Sequence, residues 1–103
     1  MSLRPVLNPQ GAPLLRLYVA GDSPGAARAL ENRRRLVEAL GGKLDILIID
    51  ILLRPEEAEI AGVLATPTLS DESVSPPRRL IGDLSDIEQV LEFFGHHRKD
   101  AAT

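Results

Sequence analysis

Apolar and polar positions alternate from Leu14 to Ala20, with Leu15, Leu17 and Val19 on one side and Arg16 and Tyr18 on the other. A period of two marks a strand with one face turned to a core. Gly21-Asp22-Ser23-Pro24 breaks the pattern. Ser23 suits a helix N-cap, and Pro24 the first helical position, where its missing N–H costs nothing. The helix should run to Leu40, with Ala26, Leu30, Val37 and Leu40 on one face and Gly41-Gly42 as its stop. Arg33 interrupts that face, so it must snorkel or the helix must turn slightly. Leu44 to Leu53 is apolar on both faces and rich in β-branched residues, which predicts a central strand covered on two sides. Strand, helix and strand then form a right-handed βαβ unit with parallel strands.

Arg54-Pro55-Glu56-Glu57 places proline and acid at the start of a second helix that ends by Gly62. Isolated helices under about 12 residues are marginal, so this one depends on packing. Leu64 to Leu69 suits a short strand, but Pro67 inside it forbids a normal central ladder position. Ser70 to Pro77 reads as a polar loop, Arg78 to Ile81 as a strand and Gly82-Asp83 as a turn. Ser85 and Glu88 have the spacing of a capping box, and Ile87, Val90, Leu91 and Phe94 give the stripe of a last helix. The order is β-α-β-α-β-β-α in one domain over 14–95, after a loose leader, 1–13, and before a polar tail, 96–103.

Composition narrows the function more than the fold. With 103 residues, 44% apolar and 26% charged, the chain is a single α/β globular domain. Twelve basic against 15 acidic side chains give a net charge of −3, which does not attract nucleic acid. Tyr18, Phe93 and Phe94 are the only aromatic residues, too few for a base-stacking platform. The lack of cysteine removes thiol catalysis and dithiol redox chemistry. No apolar run approaches the roughly 18 residues of a membrane span, and Met1–Pro13 lacks a signal-peptide core, so a cytoplasmic protein is expected.

No catalytic group, metal site or cofactor is expected either. His96 and His97 are adjacent and would point apart in a helix, so one metal ion could not easily take both. Gly21 to Gly25 lacks the glycine and lysine pattern of a phosphate loop. Ser23, Ser70, Ser73 and Ser85 suit caps and turns, and Asp50 is either a buried acid or, as is commoner at a strand end, a solvated one. The basic residues are mostly arginine, clustered at Arg33–Arg35 and Arg78-Arg79. The first cluster reads as a solvated helix face. In a strand, Arg78 and Arg79 point to opposite faces, and arginine's planar fork favours an acidic protein surface.

Leu17-Tyr-Val-Ala-Gly21 with Ser23-Pro24 and Arg28-Ala-Leu30, then Ile49-Asp50, Leu64-Ala-Thr-Pro-Thr-Leu69, and Arg78-Arg79 leading to Ile81-Gly-Asp-Leu-Ser85, together resemble the KaiB family of clock proteins. The derived element order is also the thioredoxin-like one, with Pro67 where that fold reserves a cis-proline. The resemblance implies a non-enzymatic protein whose C-terminal half has two folds. One is a self-associating ground-state form, dimer or tetramer, and the other a thioredoxin-like monomer that binds the ring ATPase KaiC. It further implies that the bound form can engage a sensor histidine kinase or other clock components. Arg28, Arg78 and Arg79 match family positions linked to partner contacts, and Pro67, Pro76 and Pro77 fall in or near the segment that refolds. Phe93, Phe94 and Gly95 stand where the cyanobacterial proteins have a different pattern. A rival reading is a thioredoxin-like module for a glutathione-type small molecule without redox activity, on the strength of Pro67 and the Glu72-Ser73 dipeptide.

Overall fold

The computed structural model describes residues 14–41, 44–74 and 76–93. The alternating segment forms β1, Leu14–Val19. Ser23 caps α1, Pro24–Ala39, its Oγ accepting from the Ala26 N–H at 3.2 Å. β2, Asp45–Asp50, runs parallel to β1, with Leu15 opposite Ile46 and Leu17 opposite Ile48. α2, Pro55–Ala61, stops at Gly62, whose φ of +73° suits a residue without Cβ. β3, Thr68–Asp71, pairs antiparallel with β1, and β4, Arg78–Ile81, pairs antiparallel with β3. Residues 87–93 form α3. The sheet order is β2-β1-β3-β4, the thioredoxin-like arrangement, and the Thr66–Pro67 bond is cis.

The two faces of this sheet differ in kind. Leu15, Leu17, Val19, Ile46 and Leu69 point to one side and pack with Ala26, Ala29 and Leu36 of α1 and Val90 of α3. This aliphatic layer is the core. The opposite side carries Arg16, Tyr18, Thr68, Ser70 and Arg79, because each lies one residue from a core position in its strand. The short α2 lies over this polar face and buries only Ala58.

Five sequence expectations are corrected. β2 is an edge strand, not a central one, and it ends at Asp50. Leu47 and Ile48 are accordingly 46% and 40% exposed, since a single neighbouring strand and a seven-residue helix cannot cover both faces. The central place goes to β3, which starts after Pro67 rather than running through it. Ser70 and Asp71 belong to that strand and are buried, so the polar loop is shorter than the sequence suggests. The buried face of α1 turns toward Ala29 and Leu36, with Val37 and Leu40 only partly covered. Arg33 both snorkels and bonds, its Nε and a terminal nitrogen donating to the Ile46 carbonyl at 3.0 and 2.8 Å. At α3 the side-chain cap is Asp86, whose carboxylate accepts from the Gln89 N–H at 3.1 Å. Phe94 and the His96-His97 pair lie outside the described residues.

Candidate partner-binding surface

The three arginines matched by sequence do not converge. Arg28 projects from α1 to the loop after β4, where its Nε donates to Asp83 at 2.8 Å. Asn32 donates to the Asp83 carbonyl at 3.0 Å, so one turn of α1 grips this loop twice. The Ser85 hydroxyl, then the Arg28 guanidinium and the Ser85 backbone N–H, hold the Asp83 carboxyl down to about 2. The Arg28 side chain remains 62% exposed.

Arg78 and Arg79 lie at the opposite end of β4, on opposite faces, as strand periodicity requires. Arg78 turns to the α3 side and stacks 4.9 Å above the Phe93 ring. One of its terminal nitrogens is buried without a hydrogen-bond partner among the described residues. Arg79 turns to the α2 side. There its Nε donates to Ser70 Oγ at 3.0 Å, and a terminal nitrogen donates to the Ala61 carbonyl at the end of α2 at 2.6 Å. Of the prolines, Pro67 packs beside the start of α1, since a Cβ on Gly25 would meet its ring at 3.5 Å. Pro76 and Pro77 lie exposed before β4.

Sequence reasoning named Glu72 only for a glutathione-type site and missed its place at the centre of the polar face. Glu72, in the turn after β3, accepts from the Tyr18 hydroxyl at 2.6 Å and from Ser70 Oγ at 3.1 Å. It also lies 3.5 Å from Arg16 and 3.8 Å from Arg79. Tyr18 has no exposed surface, and burial, reinforced by the Glu72 carboxylate, pushes its phenol up to about 12. A cleft of about 530 Å³ opens between this cluster and α2, lined by Arg16, Glu57, Ile60, Ala61, Glu72, Pro77 and Arg79. The available signal was the period of two, which puts Arg16, Tyr18, Ser70 and Arg79 on one face once the strand order is known. Glu72 itself sits outside any strand and gave no such signal. Its carboxylate is committed to this cluster, at the far end of β3 from Pro67, which leaves the glutathione-type reading without its acidic group.

Other candidates resolve into structure. Asp50 is no solvated strand end: its carboxylate accepts from the Gly21 and Leu52 N–H groups at 3.0 and 2.9 Å and ties two loops together. Arg34 pairs with Glu31 and Glu38, and Arg35 with Glu31, which is the solvated helix face expected. Among the described residues, no group of three or more His, Asp or Glu side chains is placed to hold a metal ion, and no helix is long and apolar enough to cross a membrane.

The fold has close structural counterparts. The N-terminal domain of SasA from Synechococcus elongatus superposes with a TM-score of 0.60 at 22% identity, covering 88% of this chain and 93% of that one. The germline-specific thioredoxin Deadhead from Drosophila melanogaster gives 0.66 at 15% identity, covering 81% and 78%. At such identities the likeness shows the fold alone. Sequence goes further. The circadian clock oscillator protein KaiB of Parasynechococcus marenigrum (strain WH8102) is 45% identical over 86 residues, covering 82% of this chain and 83% of that protein. The KaiB domain model matches residues 16–95, a span that holds all four strands' paired residues but Leu14 and Leu15, and all three helices; this chain belongs to the KaiB family.

Proposed function

We propose that this chain is a non-enzymatic regulator that binds a KaiC-type ring ATPase as the thioredoxin-like monomer and modulates its phosphorylation and ATPase cycle. The KaiB-domain match over residues 16–95 carries this reading. The thioredoxin-like arrangement supports it, because that is the form the family resemblance assigns to the partner complex. A sensor histidine kinase or other clock component is a further partner of the same surface, and a dimer or tetramer with a refolded C-terminal half is the resting form. The site of action is the cytoplasm.

Arg28 and Arg78 supply direct contacts to acidic groups on the partner. Arg28 is largely exposed, and Arg78 carries a buried terminal nitrogen left unpaired among the described residues, which reaches the partner once the side chain swings off the Phe93 ring. Arg79 faces the α2 side, opposite Arg78, and adds to partner binding from that face, where its bonds to Ser70 and Ala61 also hold α2. Removing a charge buried at an interface costs about 2–5 kcal/mol, which at the lower end is about 30-fold in affinity. The test is a pull-down and titration with a purified KaiC-type ATPase, with and without nucleotide. The wild-type chain binds, and Arg28→Glu with Arg78→Glu weakens binding at least about 30-fold while the circular dichroism spectrum is unchanged. Equal affinity in the double variant would place the interface elsewhere, and no binding by the wild-type chain would remove the reading.

A further inference from the structure

α2 is held in place by very little of its own. It has seven residues, one buried side chain and no side-chain N-cap. A helix of this length has no independent stability, so its position is set by what grips it from outside. The grip at its end is Arg79, which donates to the Ala61 carbonyl at 2.6 Å. A cation bonded to a last-turn carbonyl satisfies one of the acceptors that a helix end leaves open. Arg79 can do this only while its fork is aimed, and Ser70 Oγ at 3.0 Å and Glu72 at 3.8 Å aim it. Glu72 is in turn fixed to the sheet by the Tyr18 hydroxyl and by Arg16. A chain of contacts therefore runs from β1 through Glu72 and Arg79 to α2.

We propose that Glu72 is a positioning residue that acts through Arg79 to keep α2 docked on the sheet, and that it thereby presents the α2-side surface to the partner. The second half rests on the reading that the thioredoxin-like arrangement is the partner-binding form. The first half stands without it. Hydrogen bonds to charged groups are the strong ones, and local opening of an element reads out as faster amide exchange confined to that element.

The experiment is amide hydrogen exchange on the full chain, comparing Glu72→Ala, Glu72→Gln, Arg79→Ala and the double variant Glu72→Ala with Arg79→Ala. In Glu72→Ala the amides of Gly62 and Val63, which bond to the last turn of α2, exchange about ten-fold faster or more, while those of β1 and β2 keep their rates. Glu72→Gln, which keeps one neutral acceptor oxygen for Tyr18 and Ser70 to share, shows a smaller rise and carries the test if the alanine variant does not fold. The double variant is no worse than Arg79→Ala alone, because the two residues act in series. Unchanged exchange in α2, an equal rise over the whole sheet, or additive effects of the two substitutions would each overturn the assignment. Titration with the ATPase then reads the second half: in Glu72→Ala the apparent affinity falls in proportion to the fraction of chains that keep α2 docked. An affinity that does not track the docked fraction given by the exchange rates would overturn that half. Failure of the wild-type chain to bind would count against the proposed function and leave the exchange result standing.

Discussion

A phenol with no exposed surface, hydrogen-bonded to a carboxylate, is a group that folding keeps protonated. Tyr18 is held up to about 12 against an ordinary value of 10.0, first by burial and then by Glu72. The sign of its effect on stability follows from linkage. The unfolded chain loses the phenolic proton near pH 10, and the folded chain keeps it to about 12. The stability contributed by Tyr18 is therefore fully present below 10, falls as the pH rises from there, and is lost by about 12. Denaturant unfolding at a series of pH values should show this decline in the wild-type chain. Tyr18→Phe should remove that decline, at a cost of about 1.5–3 kcal/mol at neutral pH for the lost charge-assisted bond. An identical alkaline decline in Tyr18→Phe would assign it to other groups. The alternation of β1 made the inward face of Leu15, Leu17 and Val19 legible in the sequence. It also placed Arg16 and Tyr18 opposite, but did not say that they meet a carboxylate. That meeting needs Glu72, which is 54 residues from Tyr18 and belongs to no periodic segment.

Elements differ in how much of their stability is local. α1 has 16 residues, a proline start and a serine cap, all readable from Ser23-Pro24. Ser23→Ala removes the Oγ that satisfies the Ala26 N–H and should cost about 1 kcal/mol in denaturant unfolding, with Ser23→Asp close to wild type. Equal losses in both variants would mean that the hydroxyl does not cap the helix. α1, α2 and β1 were legible because their signals lie within a few residues: proline, glycine and acid at helix ends, and arginine and tyrosine alternating with aliphatic residues in a strand. β2 and β3 were exchanged in position for one physical reason. Apolar residues on both faces show that a strand wants covering, but the strand order decides whether it gets it. Ile48 has the composition of a central strand and the exposure of an edge. Pro67 argued against a central strand, yet the chain enters β3 one residue later, so the ladder never meets the missing N–H. Asp86 took the cap at α3 from Ser85 by one position, a shift that sequence spacing does not resolve.

At the scale of the molecule, α2 is held less firmly than the elements around it. β1, α1, β2, β3 and α3 share the aliphatic core, whereas α2 rests on one alanine and a few polar contacts. Around the free edge of β2 and along α2, Leu47, Leu52, Leu53, Ile60 and Leu64 remain between 46% and 98% exposed. Burial of apolar surface is worth about 25 cal/mol per Å², so a form of the chain that covers these side chains against another copy gains what this monomer forgoes. A free, apolar strand edge adds to that tendency. Two packings separated by a few kcal/mol can exchange dominance, and association shifts the balance with concentration by mass action. The chain should therefore show two slowly exchanging sets of NMR resonances for the segment 50–95. The oligomeric set should grow with concentration, and dilution or added ATPase partner should favour the monomeric one. Sedimentation velocity over the same range should follow the same ratio. Leu53→Lys, which puts a charge at a side chain 79% exposed in the monomer, should shift both measurements toward the monomer without lowering its own stability by more than about 0.5 kcal/mol. A single set of resonances and a constant sedimentation coefficient across the range would mean that this member of the family has one fold, and that its exposed aliphatic edge serves only other proteins.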